Sequence, residues 1–409
     1  MRRVVITGIG AITPVGIGKD EFWKNIKDGV NGISEITQFD TTDFKVKIAA
    51  EVKGFNPEEY IDKKTAKRQD RFTQFAVSAT ALAKEDSKID FSVYEPYRCG
   101  VIYGSGIGGL STLETEHTKL MEKGPNRVSP FFIPMMISNM ASGAISMQFG
   151  IKGVSYAPVT ACSSSTHAIG EAYRAIKHDY IDCAIAGGAE ATITPIAVAG
   201  FVNMQAMSQT TDINRASIPF DKERSGFVMG EGACTLILEE YENAKKRGAP
   251  IYAEIKGYGA TSDAYHMTSP DPEGRGAAKA MELAFLESGE PIENLSYINA
   301  HGTATPLNDK FETLAIKSAF GEHAYKLMIS STKSMTGHML GAAGAVEAAA
   351  CALAITDGII PPTINYRVPD EELDLDYVPN TARKAEIKGA ISNSLGFGGH
   401  NASLYIAKI

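Results

Sequence analysis

Thr160-Ala161-Cys162-Ser163-Ser164-Ser165 sets one cysteine ahead of a run of hydroxyls that opens a small-residue helix. A cysteine there lies beside unpaired amides at the positive helix end, which favours thiolate over thiol. Sulfur is a good acyl acceptor, because a thioester forms and discharges without a deep energetic trap. The Cys162 amide would face an oxyanion developing on the attacked carbonyl. His301 ends an apolar stretch in Ile298-Asn299-Ala300-His301-Gly302-Thr303-Ala304-Thr305-Pro306. His338 closes Ser331-Thr332-Lys333-Ser334-Met335-Thr336-Gly337-His338, just before a helix of small residues. α/β proteins gather ligand-binding groups at such strand-to-loop and loop-to-helix junctions. The chemistry implied is acyl transfer through a nucleophilic thiolate served by two imidazoles. Lys333 is expected to point inward and fix charge in the same cleft. His117, His167, His178, His266 and His323 lack this context and receive no role.

Those side chains need a rigid frame. Residues 4–8, 99–104, 182–187 and 233–239 read as strands, three of them closing on glycine, and 72–83, 164–177 and 240–247 read as helices. The alternation predicts α/β layering with strands covered on both faces. Arg3-Val4-Val5-Ile6-Thr7-Gly8-Ile9-Gly10 is echoed by Tyr252-Ala253-Glu254-Ile255-Lys256-Gly257-Tyr258-Gly259, and Ile185-Ala186-Gly187-Gly188 more loosely by Ser394-Leu395-Gly396-Phe397-Gly398-Gly399. Two similar halves are therefore expected, 1–250 carrying the cysteine and 251–409 carrying the two histidines. The stretch Gly341-Ala342-Ala343-Gly344-Ala345-Val346-Glu347-Ala348-Ala349-Ala350 predicts a narrow helix that suits close burial between sheets. Residues 112–132 read as an excursion from the core.

Composition bounds the function class. With 409 residues, 44% of them hydrophobic, the chain can bury one large core or two ordinary ones. A net charge of -8 argues against a general nucleic-acid binder. The amino terminus turns strand-like at once and lacks a signal-peptide pattern, and the most apolar stretch, around 342–355, is interrupted by Glu347. A cytoplasmic protein without membrane insertion is expected. Cys99, Cys162, Cys183, Cys234 and Cys351 never form a CxxC pair, which argues against a disulfide framework or zinc cluster. Cys183, Cys234 and Cys351 read as small buried hydrophobes. Gly8-Ile9-Gly10 lacks the third glycine of a dinucleotide fingerprint.

Taken together, the Cys162, His301 and Lys333–His338 motifs resemble those of the β-ketoacyl-[acyl-carrier-protein] synthases of the thiolase superfamily, in the elongating synthase II branch. Gly104-Ser105-Gly106-Ile107-Gly108-Gly109, Ser129-Pro130-Phe131-Phe132 and Gly396-Phe397-Gly398-Gly399-His400-Asn401 extend the resemblance over nearly the whole chain in family order. It implies a five-layer αβαβα sandwich of two duplicated halves, assembled as a homodimer. The implied reaction is decarboxylative Claisen condensation in fatty acid elongation: Cys162 accepts an acyl group from acyl carrier protein, and malonyl-carrier then loses carbon dioxide and attacks the thioester.

The resemblance also distributes roles. The amides of Cys162 and Phe397 form the oxyanion hole, and neutral His301 and His338 stabilise the enolate, with Lys333 supporting the histidines. Losing one such donor costs about 3 kcal/mol of transition-state stabilisation. Phe397 gates the acyl tunnel, whose walls include Ile107, Phe132 and Phe201, at roughly 0.8 kcal/mol per buried methylene. Thr303 and Thr305, on a strand-like segment, bind the pantetheine amide, with Thr268 a further substrate contact. The acidic carrier docks on Lys63, Lys64, Lys67, Arg68 and Arg71, joined by Arg215. No cofactor is required, but a structural K+ or Na+ is implied near Asn299, Glu347, Ser392 and Asn393. His400 replaces a threonine seen in some relatives and has no assigned role. Ala304 stands where many members carry serine or glycine.

Other readings are weighed on the same residues. A degradative thiolase would use a second cysteine in the last glycine loop, where Phe397 and His400 stand. A polyketide-type ketosynthase fits the same motifs. A non-catalytic acyl-binding partner would have little reason to retain Cys162, His301, Lys333 and His338 together.

Overall fold

The computed structural model describes residues 1–409. Ten strands carry the frame: β1 (Val4–Thr13), β2 (Cys99–Gly104), β3 (Ser155–Tyr156), β4 (Cys183–Glu190), β5 (Gly232–Glu240), β6 (Ala253–Ser262), β7 (Leu295–Asn299), β8 (Met328–Ser330), β9 (Gly389–Gly396) and β10 (His400–Ala407). Six helices pack on them: α1 (Arg71–Ser87), α2 (Met140–Phe149), α3 (Ser164–Lys177), α4 (Arg275–Ser288), α5 (Pro306–Phe320) and α6 (Ala343–Asp357).

Hydrogen bonding runs in the order β8-β7-β9-β10-β6-β1-β5-β4-β2-β3, with the short strand Gly16–Ile17 added to β1. Read outward from the middle, β1-β5-β4-β2-β3 and β6-β10-β9-β7-β8 repeat one topology, each strand matched to the one five places later. The halves meet where Val4, Val5 and Ile6 pair antiparallel with Ile255, Glu254 and Ala253. Helices α3 and α6 pack against each other, α6 touching strands of both halves, while α1 and α4 cover the outer faces of β1 and β6. This is the five-layer αβαβα arrangement.

The first predicted echo has a steric cause. A Cβ on Gly10 would lie 2.0 Å from the Ala79 carbonyl oxygen of α1, and one on Gly259 would lie 1.9 Å from the Ala280 oxygen of α4. In each half an outer helix crosses its strand too closely for any side chain. The second echo does not hold in register. Gly187 faces Thr235 as Asn393 faces Ser403, and those two residues face Gly10 and Gly259, so Gly187 and Gly188 match Asn393 and Ser394. Residues 397–399 instead turn between β9 and β10.

The narrow helix lies where its composition predicts. Every residue of α6 from Ala343 to Ile355 is buried. A Cβ on Gly344 would lie 1.9 Å from Thr166 Oγ1 of α3, so the two central helices need glycine at their crossing. The segment Leu340–Asp357 is, by length and hydropathy, capable of crossing a membrane, although Glu347 interrupts it as expected. Its 18 residues are 89% buried within the protein. The 112–132 excursion is largely helical, with Leu110–Lys123 forming a regular helix.

Candidate active site

Cys162 sits in a single 3-10 turn, Ala161–Ser163, that runs directly into α3. Ala161 has φ 50°, a left-handed conformation that a residue with a Cβ adopts only under constraint. The surroundings supply that constraint. Ser164 Oγ donates to the Ala161 carbonyl at 2.7 Å, the Thr160 amide donates to Ser164 Oγ at 2.9 Å, and Ser163 Oγ donates to the His400 carbonyl at 2.8 Å. His400 thus acts on the turn through its backbone. His167, passed over in the sequence, is a further brace. Its Nδ1 lies 3.1 Å from the Ser163 carbonyl and 2.8 Å from Thr160 Oγ1. A carbonyl can only accept, so Nδ1 carries the proton. Burial holds this imidazole down at about 4.

His338 Nε2 lies 3.1 Å from Cys162 Sγ. The His301 and His338 rings meet edge to face, 5.3 Å between centroids, and one donor atom from each of the three residues falls within 4.8 Å of the others. Lys333 is buried, forms an ion pair with Glu347, and reaches 3.4 Å from His301 Nδ1. An ammonium only donates, so His301 Nδ1 accepts and the ring proton resides on Nε2. His338 Nδ1 has no partner, so that ring can hold its proton on either nitrogen. A cysteine and two histidines this close could ligate a soft metal, but the Lys333 ammonium beside them opposes a dication.

Electrostatics reverse one expectation. The helix end was expected to depress the thiol, yet burial dominates and pushes Cys162 up to about 12, against a downward pull from Lys333. The resting sulfur is therefore a thiol, and its proton leaves during attack. Burial, then the Lys333 charge, holds both His301 and His338 well below the usual imidazole range, so both are neutral at pH 7. Burial raises Glu347 to about 7 despite its pairing with Lys333.

Around the sulfur lies a cavity of about 720 Å³, lined by Cys162, His301, His338, Thr268, Thr303, Thr305, Phe201 and Phe397 among others. The Phe201 and Phe397 rings stand 6.4 Å apart. Thr303 and Thr305 share a hydrogen bond of 2.9 Å between their hydroxyls. They lie on a loop rather than a strand-like segment, because Ala304 between them has φ 65°, a conformation glycine adopts more readily. In the last glycine turn, Gly398 and Gly399 donate their amides to the Met267 and Gly396 carbonyls, while the Phe397 and Cys162 amides make no such bond. Those two N–H groups are free to meet an oxyanion.

The structure places the remaining expected residues as follows. Ile107 and Phe132 lie outside the cavity wall of the single protomer, and their place on a tunnel at a dimer interface is a matter for the assembled dimer. Ile107 is 37% exposed and Phe132 is half-buried, on an outer face with the exposed Phe131, Ile133 and Ile137. Arg215 is held by Asp221, Glu223 and the Asn365 carbonyl, and Arg71 by the wholly buried Glu231. Both are structural cations rather than free docking charges. Lys63, Lys64, Lys67 and Arg68 remain exposed, Lys63 near Glu58 and Arg68 over the Phe131 ring.

Carboxylates at a distance were not legible beforehand. Glu312 of α5 accepts the His301 and Gly302 amides at 2.7 and 2.8 Å, fixing the histidine loop. Both polar atoms of the Asn299 side chain, Ser392 Oγ and Glu347 Oε2 are buried without partners, and Asn299 and Ser392 are register neighbours. An oxygen-rich orphan set of this kind fits a hard monovalent cation. Asn393 departs from it: its Oδ1 accepts from Ser403 and its Nδ2 faces Glu312.

A duplicated αβαβα frame with a buried cysteine at the start of one central helix, His338 just ahead of the other and His301 in the loop after β7 defines a thiolase-like condensing enzyme. The chain belongs to the beta-ketoacyl synthase family: the model of its N-terminal domain matches residues 1–244, and that of its C-terminal domain matches 252–367. It is 51% identical to 3-oxoacyl-[acyl-carrier-protein] synthase 2 of Synechocystis sp. over 408 residues, covering 100% of this chain and 98% of that protein. A synthase of the same name from Staphylococcus aureus is 52% identical over 407 residues, with 100% and 98% covered. Among solved structures, a type II PKS acyl-carrier protein in complex with its ketosynthase bound to the hexaketide superposes with a TM-score of 0.93 at 33% identity, covering 100% of both chains.

Proposed function

We propose that the chain catalyses decarboxylative Claisen condensation of a Cys162-bound fatty acyl group with malonyl-acyl-carrier protein, giving β-ketoacyl-carrier protein and carbon dioxide. The observation that carries this is the 3.1 Å approach of His338 Nε2 to Cys162 Sγ, with His301 beside it, in the wall of an open cavity.

In the first stage sulfur attacks the acyl thioester. The Sγ–carbon bond forms and the carrier carbon–sulfur bond breaks. The thiol proton passes through His338 Nε2 to the departing pantetheine sulfur, and the Cys162 and Phe397 amides receive the transient oxyanion. In the second stage the malonyl carboxylate leaves as carbon dioxide, and its electron pair becomes an enolate. His301 Nε2–H and His338 Nε2–H donate to the enolate oxygen, each worth about 3 kcal/mol. The enolate carbon attacks the thioester, the Sγ–carbon bond breaks, and Cys162 departs as a thiolate that takes up a proton from solvent water through His338. Lys333 holds the His301 tautomer, while Thr268, Thr303 and Thr305 offer polar groups to the pantetheine arm. Asn299, Ser392 and Glu347 would hold a monovalent cation, which would offset the buried negative charge behind the histidines.

The proposal includes docking of the acidic carrier on Lys63, Lys64, Lys67 and Arg68, and a junction between halves at 250/251. It also includes a homodimer built on the exposed edge strand β3 with Ile133, Met147 and Val159, which would bring Ile107 and Phe132 toward a tunnel. Free thiols at all five cysteines support a cytoplasmic location. Polyketide-type synthesis is the alternative, disfavoured because the matched polyketide ketosynthase is 33% identical and the synthases 2 are 51–52%. Product analysis with saturated acyl carriers tests the choice: a single two-carbon extension supports it, and repeated unreduced extension contradicts it.

A further inference from the structure

We propose that Glu190 is a positioning residue for this condensation, the node that locks the 104–109 loop of the first half to the start of α6 in the second, beside the turn that carries Cys162. The inference rests on the reading of the site as a condensing centre. Glu190 ends β4 and is wholly buried. Its Oε1 accepts from Ser105 Oγ at 2.9 Å and the Ile107 amide at 3.2 Å; its Oε2 accepts from the Gly106 amide at 2.8 Å and the Gly341 amide at 3.0 Å. Burial pushes the Glu190 carboxyl up, and these four hydrogen bonds pull against it; the three amides can only donate, so the geometry favours the ionised carboxylate.

Two backbone segments, 106–107 and 341, converge on this one side chain, with the Ala161 carbonyl beside Gly106. A Cβ on Gly106 would stand 2.8 Å from Glu190 Oε2 and 3.3 Å from the Ala161 oxygen. One on Gly341 would stand 2.3 Å from the Gly106 amide and 2.7 Å from Glu190 Oε2. The carboxylate thus clasps bare backbone, and the clasp touches the nucleophile turn itself. Gly341 follows His338 by three residues, and Ile107 lies within the clasped loop. Loosening the clasp moves the imidazole that faces sulfur and the loop that carries Ile107. Glu190 is also one of the charges facing Cys162, together with Lys333 and Glu347, and the neighbouring His301 and His338 are neutral.

Glu190→Gln preserves size but turns an NH2 toward N–H donors and removes the charge. Misplacing reacting groups without altering the carrier surface predicts a fall in kcat of about 10²-fold with KM for malonyl-carrier little changed. The pH profile for alkylation of Cys162 by iodoacetamide should move to lower pH in Glu190→Gln and stay parental in Ser105→Ala, which loosens the clasp but keeps the charge. A folded variant with parental kcat and alkylation profile overturns the proposal, and so does lower thermal stability as the sole change. If this variant does not fold, Ser105→Ala, which removes one donor and keeps the carboxylate, must lower kcat at constant KM; parental kcat there overturns it. A parent protein inactive with acyl and malonyl carriers would sink the condensing assignment instead, and the alkylation profile, which needs no carrier, still tests Glu190.

Discussion

Ala161 and Leu340 occupy the same place in the two halves. Each has a positive φ, 50° and 45°, and each opens a one-turn 3-10 segment that leads into a central helix. The residues that follow them, Cys162 and Gly341, are therefore structural counterparts. Only one position can hold a nucleophile, because a Cβ at Gly341 would collide with the Gly106 amide. The duplication supplies two equivalent helix starts; one carries the sulfur, and the other follows the histidine that faces it.

The strained turn makes position 161 sensitive to shape. Ala161→Val, with a β-branched side chain at positive φ, should lose about 1–3 kcal/mol of stability and slow acylation of Cys162. Ala161→Gly should retain both. Urea unfolding and acyl-enzyme formation read the two effects.

Lys333 is the only cation paired with Glu347 in the buried core behind the histidines. Lys333→Ala should destabilise by about 3–5 kcal/mol by leaving an uncompensated buried charge, and should release the His301 tautomer. Carbon dioxide release from malonyl-carrier should fall more than acyl transfer does. Adding Glu347→Ala should recover stability without recovering decarboxylation; a double mutant no more stable than Lys333→Ala would contradict the pairing.

His167 gives a pH signature. Its folded value near 4 lies below the ordinary imidazole value of 6.5, so the unfolded chain binds more protons between those pH values. Its contribution to stability is present above pH 6.5 and is lost as pH falls toward 4. Buried neutral His301 and His338 act in the same direction, whereas Glu347, raised to about 7, favours the folded state as pH falls from 7 toward 4.5. In His167→Gln, unfolding across this window should take up about one proton fewer. Chemical denaturation at a series of pH values measures it, and an unchanged slope would rule out a buried neutral ring.

Charge reversal separates free from engaged cations. Lys67→Glu with Arg68→Glu should raise KM for acyl-carrier substrate and reduce its salt dependence, with thermal stability kept. Arg71→Ala should instead destabilise by about 3–5 kcal/mol, because Glu231 would be left buried and unpaired. Equal effects on KM from both changes would place the dock elsewhere.

Much of this was legible before the structure. The 3–10 and 252–259 echo could be read because a crossing helix demands glycine at the same two steps in each half. Cys162, His301 and His338 could be read because each lies at a junction where the chain must turn. The 185–188 and 394–399 echo misled, since glycines in a strand and in a turn look alike in sequence. Arg71 and Arg215 sit in runs that look solvated, and only the fold brings Glu231 and Asp221 to them. Glu190 and Glu312 act on backbone amides far along the chain, and no local pattern marks such a carboxylate. The helix-end argument for a depressed thiol failed because burial outweighed it.

The central claim is that Cys162 carries the acyl group between two carrier-bound substrates. Intact-protein and peptide mass spectrometry after incubation with acyl-carrier alone should find one acyl mass, on Cys162. Adding malonyl-carrier should remove that mass as carbon dioxide and β-ketoacyl-carrier appear. An unmodified Cys162, or an acyl mass that persists while malonyl-carrier is consumed, would contradict the account.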